Sequence, residues 1–178
     1  MATDQNKYKQ LRHRLENIKD TVIRTRNYNK AIRELNSIID LYPSNIDVLR
    51  LKGNILDLKA SEISYASCDD AGDVFYDEAL SCYDKILSLE PDNTVARIDR
   101  AGYWLRKKKY DLALNDCDSA INVLKKGNYF LSLIDELEEA YSCKIEILEE
   151  LGKENDALTA KTEMQNQLSL LSVNGGHQ

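Results

Sequence analysis

With 178 residues, 43% of them hydrophobic and 30% charged, the chain has the composition of a folded domain or a short repeat array. Its net charge of −6 argues against a nucleic-acid partner, because neutralising phosphates requires clustered lysine and arginine side chains. The 7 glycines and 2 prolines are too few for a sheet protein with many tight turns, so they favour helices joined by short polar connections.

Helical periodicity runs through most of the sequence and predicts eight helices. Their expected ranges are about 5–25, 28–42, 45–60, 74–89, 93–107, 110–125, 129–151 and 154–171. A polar stretch from Ser61 to Asp73 is expected to be a loop inserted between the third and fourth helices. The basic run from Arg106 to Lys109 is expected to cap the fifth helix, and residues 172–178 are expected to form a flexible tail.

A small residue stands near the start of every second helix. These residues are Ala31, Ala79, Ala113 and Ala157, at intervals of 48, 34 and 44 residues. Proline follows the first two alanines by 12 residues, at Pro43 and Pro91, where the helix is expected to end. An alanine or glycine at such a position lets two helix backbones approach closely while larger neighbours fill the groove. We therefore expect these alanines, together with Gly53 and Ala101, to be buried where helices touch.

This pattern resembles the tetratricopeptide repeat family, whose period is 34 residues. In that family the first helix of each hairpin carries a bulky residue, a small residue four positions later, and a second bulky residue. The matching residues are Leu49, Gly53 and Leu56 in the second repeat, Ala101 and Trp104 in the third, and Tyr141, Ile145 and Leu148 in the fourth. The first repeat departs from the pattern, because Lys19 stands where the small residue is expected.

The resemblance implies an all-α fold, a right-handed superhelical stack of about four helix-turn-helix hairpins, in one domain over residues 1–171. The implied repeats are about 12–45, 46–93 with the insertion at 61–73, 94–127 and 128–171. Stacking is required because one hairpin cannot cover its own apolar face.

Catalysis finds little support in the sequence. The histidines, His13 and His177, are far apart, and no glycine-rich phosphate loop is present. Asp69, Asp70 and Asp73 could suggest a metal site, but their spacing matches no calcium loop. Asp116 and Asp118, in the middle of the sixth helix, are expected to be solvated. The chain is therefore predicted not to be an enzyme and to need no metal or cofactor.

The predicted location is the cytoplasm, with no membrane partner. No run approaches 18 apolar residues, and the N-terminus lacks an apolar signal segment. The 4 cysteines include no Cys-x-x-Cys pair and are interpreted as reduced thiols. Cys82 and Cys117 are expected to be small apolar fillers inside helices.

The resemblance also implies a concave groove lined by the first helix of each hairpin. The groove residues carried over are Glu16, Asp20, Asp47, Arg50, Asn54, Asp57, Val95, Ile98, Leu105, Glu146 and Glu149. Such a groove is acidic at both ends and apolar in the middle, and it suits a peptide or protein partner with an apolar centre and basic flanks. Two alternatives stay open: an acidic protein has acidic faces without any partner, and the seventh helix could cover Ile98 and Leu105.

The predicted function is a non-catalytic interaction module, an adaptor or scaffold. The alternatives are a specialised chaperone of secreted or assembling proteins and a metal- or small-molecule-binding protein. Some members of the resembled family grip the C-terminal carboxylate of heat-shock chaperones. The positions carried over for that clamp hold Glu16, Asp20, Leu51, Val95 and Asp99. Three of the five side chains are acidic and repel a carboxylate, so no such tail is expected to bind.

Overall fold

The computed structural model describes residues 2–67, 70–126 and 133–174, and the side chains of 5–67, 70–126 and 133–170. In these ranges the only regular secondary structure is helical, and no strand is present. The α-helices are α1 (Ala2–Thr25), α2 (Tyr28–Leu41), α3 (Ile46–Ser67), α4 (Asp73–Leu89), α5 (Thr94–Arg106), α6 (Tyr110–Lys126), α7 (Ile134–Glu150) and α8 (Glu154–Asn174). A short 3-10 helix, Asp70–Gly72, precedes α4. The predicted all-α class is confirmed.

The helix boundaries follow from the capping residues in the sequence. Asn45 and Asn93 follow the two prolines, and each side chain accepts a hydrogen bond from a backbone N–H in the first turn of the next helix, at 3.1 and 3.0 Å. The turns after α1, α5 and α7 each contain a left-handed residue, at Arg26, Lys108 and Gly152. The same stop-and-start chemistry therefore recurs along the chain.

The chain divides into two compact units, Met1–Leu89 and Glu90–Gln178. In the first unit, neighbouring helices pack around Leu35, Ile38 and Val48, all of which are fully buried. Ala31 and Ala79 are buried as expected, and so is Gly53, where an added Cβ would lie 2.6 Å from Tyr83 Cε1. The small residues of this unit are therefore points of helix contact.

The second unit has its own apolar core. Leu137, Ala140 and Tyr141 of α7 are buried between the preceding and following helices. Ala101, Ala113 and Ala157 are all buried, and the expectation for small residues is confirmed here too. The exposed residues of α8 include polar ones, such as Lys161, Glu163 and Gln165, and the apolar Leu158 and Leu170.

The segment expected to be an inserted loop is mostly helix. Ser61–Ser67 extends α3, and the chain reaches α4 through Asp70–Gly72, with residues 68 and 69 outside the described ranges. No proline or glycine interrupts residues 61–67, so polarity alone does not stop the helix. Gly72 makes the return possible, because an added Cβ would lie 2.5 Å from the carbonyl oxygen of Ala60.

Asp116 was expected to be solvated, and that prediction is wrong. It is 1% exposed and lies on the buried stripe of α6, three residues after Ala113 and one before Cys117. The Arg100 guanidinium donates to both carboxylate oxygens at 2.8 Å, and Arg97 Nη1 lies 3.5 Å from Oδ1. A carboxylate this deeply buried requires such partners, since isolated burial would cost far more than the pair returns. Asp118 is exposed as expected and pairs with Lys144.

One further range, that of α8, differs from expectation at its end. Helix α8 continues to Asn174, three residues into the segment expected to be a flexible tail, and residues 175–178 lie outside the described ranges. Helix α7 begins at Ile134 in the described chain, and the predicted start, with Tyr129 and Phe130, falls outside it.

The buried ion pair generates a stability prediction. Replacing Asp116 with alanine leaves two arginine side chains without their buried counter-charge, so we expect unfolding to become easier by on the order of 3 kcal/mol. Asp118→Ala removes an exposed pair and is expected to cost about 0.5 kcal/mol. Urea unfolding followed by circular dichroism measures both. Equal effects for the two variants would contradict the structural role assigned to Asp116.

A second prediction concerns the two helical glycines at which an added methyl group meets different surroundings. Gly53→Ala places a Cβ against the Tyr83 ring and is expected to destabilise by about 1–3 kcal/mol. Gly102→Ala meets only Arg106 Nη1, at 3.7 Å, and is expected to stabilise α5 by about 0.5–1 kcal/mol. Thermal unfolding measures both variants, and we expect a lower midpoint for Gly53→Ala and a higher one for Gly102→Ala. Destabilisation by both substitutions would contradict the packing argument.

Candidate protein-interaction surface

An exposed apolar ridge runs along α3 in the first unit. Leu51, Leu58 and Tyr65, here called the α3 ridge, are seven residues apart and therefore lie on one side of the helix. Leu51 is half-buried, Leu58 is 54% exposed and Tyr65 is 89% exposed. The ridge is roughly 21 Å long at the rise of an α-helix. Its apolar side chains become progressively more exposed towards the C-terminal end of α3.

Polar residues alternate with the ridge residues. Asp47, Asn54 and Ser61 are exposed and recur at the same seven-residue spacing, three or four positions from the apolar residues. Because these intervals return to one face of a helix, the ridge and the polar residues form a mixed surface with the pattern of a heptad seam. Arg50 lies 3.9 Å from the Asp47 carboxylate at one edge of this surface.

Tyr83 of α4 packs against the middle of α3 and contacts residues beside the ridge. Its ring is fully buried, and its hydroxyl donates towards Asn54 Oδ1 at 3.4 Å and Asp57 Oδ2 at 3.3 Å. The same ring packs against Gly53. One tyrosine thus fixes both the distance between α3 and α4 and the position of two predicted groove residues.

The C-terminal part of α3 is fastened to α2. The Glu62 carboxylate accepts hydrogen bonds from Tyr28 Oη at 2.7 Å and Arg26 Nη1 at 3.0 Å. These bonds favour the charged form and lower the pKa of Glu62 below its ordinary value of 4.5. Lys59 donates to Asn29 Oδ1 at 2.7 Å, and its ammonium lies 3.4 Å from the centre of the Phe75 ring.

A side-chain hydrogen bond also joins α3 to α4. Ser61 Oγ lies 2.9 Å from Tyr76 Oη, close enough for a hydrogen bond. Together with the contacts of Glu62 and Lys59, this bond holds the extension of α3 on two sides. The C-terminal part of α3 therefore presents Leu58 and Tyr65 from a fixed helix, which reduces the ordering cost of binding.

The structure places the other predicted groove residues individually. Asp47, Arg50, Asn54 and Asp57 share one side of α3, and Glu16 and Asp20 are exposed on α1. In the second unit Glu146 and Glu149 are exposed on α7, Glu149 with an ion pair to Lys161, whereas Val95 and Leu105 are half-buried. The groove as one continuous surface stays a prediction.

Ile98 was predicted to be an exposed apolar residue of the groove, and that prediction is wrong. It is 5% exposed and belongs to the core cluster that contains Leu137 and Tyr141 of α7. Covering by the seventh helix, the alternative left open by the sequence, is what the structure has. Leu105 packs in part on the cluster around Ala101 and Cys117.

Sequence reasoning missed Leu58 and Tyr65 as surface residues. The signal was present, because the seven-residue interval from Leu51 to Leu58 to Tyr65 can be read directly. It was overlooked because the third helix was expected to end at residue 60, which placed Tyr65 in a loop. Recognising the extension requires the contact of Gly72 with Ala60, which no local pattern reveals.

A metal site and a membrane span are two other kinds of site that the described ranges could hold. These ranges contain no group of three or more histidine, cysteine, aspartate or glutamate residues placed to hold a metal ion. Asp70 is exposed and Asp73 half-buried, while Asp69 falls outside those ranges. Among the helices described, none is both long and apolar enough to cross a membrane.

Comparison with known proteins finds relatives that match part of the chain. RNA polymerase II-associated protein 3 of Mus musculus is 30% identical over 103 residues, and the protein of the same name from Rattus norvegicus is 33% identical over 104. The Xenopus tropicalis protein is 44% identical over 46 residues. The mouse and rat matches cover 48% of this chain but only 16% of the relatives' own length. No protein-family model matches the sequence.

The fastening of α3 predicts a local effect of removing one charge. Glu62→Gln weakens the bonds to Arg26 and Tyr28, so we expect faster amide hydrogen exchange in residues 61–67 with the rest of the first unit unchanged. Glu78→Gln is the matched control. It removes the ion pair between Glu78 of α4 and Lys52 of α3, which lies before residues 61–67. Exchange measured by NMR checks this. Unchanged protection at 61–67 in Glu62→Gln would contradict the role of these bonds.

Proposed function

We propose that this chain is a non-catalytic protein-interaction module, an adaptor or scaffold, and that the α3 ridge is a binding surface for an amphipathic helix of a partner protein. The observation that carries the proposal is the rigid presentation of Leu58 and Tyr65, 54% and 89% exposed, on a helix extended beyond the ordinary repeat. Apolar and aromatic side chains held in place at a surface are the usual anchors of protein interfaces.

The spacing of the ridge favours a helical partner. Residues that recur every seven positions form a straight seam on a helix, and a second helix with the same repeat can pack its own side chains between them. An extended peptide has side chains that alternate every two residues, and it would meet the ridge residues irregularly. Leu51, Leu58 and Tyr65 match three successive heptad positions on such a partner helix.

The charge around the ridge favours a partner with basic flanks. Asp47 and Asp57 lie beside the ridge on α3, and Glu16 and Asp20 are exposed on α1 of the same unit. The whole chain carries a net charge of −6. Opposite charge on the partner would steer the encounter and set the orientation, while the apolar contacts would supply most of the affinity.

The relatives support an interaction role of the same kind. Proteins named for association with RNA polymerase II match about half of this chain at about 30% identity. A component of an RNA polymerase II assembly is therefore the first class of partner to test. The specialised-chaperone alternative predicts a similar surface, but its client would be released after folding or assembly. A cytoplasmic location, and the lack of binding to heat-shock tails, stay predictions.

A synthetic peptide tests the ridge. The probe is a helix of about three heptads, with leucine at the two seam positions and lysine at the flanking positions, and a peptide of the same composition in scrambled order is its control. We expect the heptad peptide to bind and the double variant Leu58→Ser, Tyr65→Ser to weaken it by at least about tenfold. Fluorescence anisotropy measures the affinity, and circular dichroism verifies that the variant is folded.

Val74→Ser is the matched control variant, because Val74 is 71% exposed but lies on α4. It should bind the heptad peptide like the original protein. Equal binding of the heptad and scrambled peptides would overturn the proposal. So would a loss of affinity in Val74→Ser as large as that in the double variant.

Photo-cross-linking identifies the natural partner through the same surface. A benzophenone amino acid at position 65 should cross-link in cells to a segment with seven-residue apolar spacing and basic flanks. The same probe at position 74 should not give that product. A cross-linked segment without helical spacing would argue against a helical partner and leave only the general interaction role.

A further inference from the structure

The first half of α1 carries a basic surface on an acidic protein. Its four basic side chains are all exposed, and they are Lys7, Lys9, Arg12 and Arg14. No aspartate or glutamate stands among residues 5–15. The segment 7–14 therefore has a net charge of +4 in a chain whose net charge is −6, so the remainder of the chain carries −10. Charge of one sign is thus concentrated on a short stretch of one helix.

Two apolar side chains lie among these charges. Tyr8 is 57% exposed, and Leu11, three residues later on the same side of the helix, is half-buried. Lys7 and Arg14 stand four residues before and three residues after Leu11, so both border it. Arg12, four residues after Tyr8, borders the tyrosine in the same way. These residues together are here called the α1 basic end: Lys7, Tyr8, Lys9, Leu11, Arg12 and Arg14.

The charges of the α1 basic end have no counter-charge within the chain as far as its side chains are described. Farther along the same helix, Arg24 Nη2 lies 3.5 Å from the Asp20 carboxylate. In the part of the chain whose side chains the structure describes, none of the four bases of the α1 basic end forms such an ion pair. Lys9 and Arg12 are three positions apart and repel each other, which weakens the helix unless an anion from outside the chain offsets the repulsion.

We propose that the α1 basic end is a second interaction surface, which binds a short acidic segment of a partner protein with an apolar residue among its carboxylates. Opposite charge attracts and orients this segment, and its apolar residue packs against Tyr8 and Leu11. Two of the four bases are arginines, whose guanidinium groups hold both oxygens of one carboxylate. The proposal does not depend on the α3 ridge, which lies on another helix and favours a basic partner.

The size of the α1 basic end favours a short segment over a nucleic acid or a membrane. Residues 7–14 span roughly 11 Å of helix, whereas a nucleic-acid-binding protein commonly contacts about 6–10 phosphates. The sign of the charge also reverses directly beyond this stretch, since Glu16 and Asp20 are exposed on the same helix. An extended anionic surface would meet these two carboxylates and be repelled, while a segment with a few carboxylates would not reach them.

A synthetic peptide tests the proposal on the full chain. The probe has about twelve residues, with one glutamate for each base of the α1 basic end placed around a single leucine. Its ends are acetylated and amidated, so that no terminal carboxylate takes part. We expect binding at low salt that becomes at least about tenfold weaker at about 0.5 M salt, measured by isothermal titration calorimetry. Equal binding of a control peptide with glutamine in place of every glutamate would overturn the proposal.

Charge reversal locates the binding surface. The double variant Lys7→Glu, Arg14→Glu reverses both charges beside Leu11 and is expected to weaken binding of the glutamate peptide by at least about tenfold. The matched control is Lys109→Glu, Lys126→Glu, which makes the same change in net charge at exposed positions of the second unit. It should lose far less affinity. Circular dichroism verifies that both variants are folded, and equal weakening by the two would overturn the proposal.

Tyr8→Ser separates the apolar contact from the charges. It should weaken binding several-fold and leave the ratio of the affinities at low and high salt unchanged. The ridge variant Leu58→Ser, Tyr65→Ser should bind the glutamate peptide like the original protein, and a loss of affinity there would overturn the assignment to α1. Tighter binding of a single-stranded oligonucleotide, or of vesicles that contain phosphatidylserine, than of the glutamate peptide would overturn the proposed class of partner.

Discussion

The structure depends on one constraint: two helix backbones approach closely only where one of them lacks a side chain. At Gly53 an added Cβ would lie 2.6 Å from the Tyr83 ring, a distance that side-chain carbons do not tolerate. The tyrosine occupies the space left by the glycine, and its hydroxyl reaches Asn54 and Asp57 on the same helix. Packing between α3 and α4 and the placement of polar surface residues therefore have a common cause.

The α3 ridge is a consequence of the same constraint. Gly53, Ala60 and Gly72 concentrate the close contacts of α3 on the sides that meet its neighbours, where α4 and the 3-10 helix pack. The opposite side is then left for longer side chains. Since Glu62 also fastens the helix to Arg26 and Tyr28, the outward side cannot turn to bury Tyr65. An exposed aromatic residue on a fixed helix is a cost in solubility that an interaction would offset.

The sequence predicts those features that local chemistry determines. Small residues at helical intervals correctly located the contacts at Ala31, Gly53 and Ala113, and the two prolines correctly marked the ends of α2 and α4. The extension of α3 was missed because polar residues permit a helix without requiring one, and the deciding contact comes from Gly72. Ile98 was misplaced because a position inherited from a family pattern does not indicate how far the next helix covers it.

Asp116 shows how a departure from the apolar pattern carries information. Arg97 stands four residues before Ala101, where the second repeat has Leu49 before Gly53 and the pattern expects a bulky apolar residue. A charge at a core position requires an opposite charge within reach, and the stripe of α6 that contains Ala113 and Cys117 supplies it. Each of the two charged residues, Arg97 and Asp116, therefore supplies the counter-charge that the other needs at its position.

The same carboxylate connects the core of the second unit to its thiols. Asp116 precedes Cys117, whose pKa is raised mainly by the hydrogen bond to Cys143 and by burial, with a smaller contribution from the negative charges of Asp118 and Asp116. Because Arg100 holds Asp116 at two oxygens, the charge beside Cys117 is fixed in position.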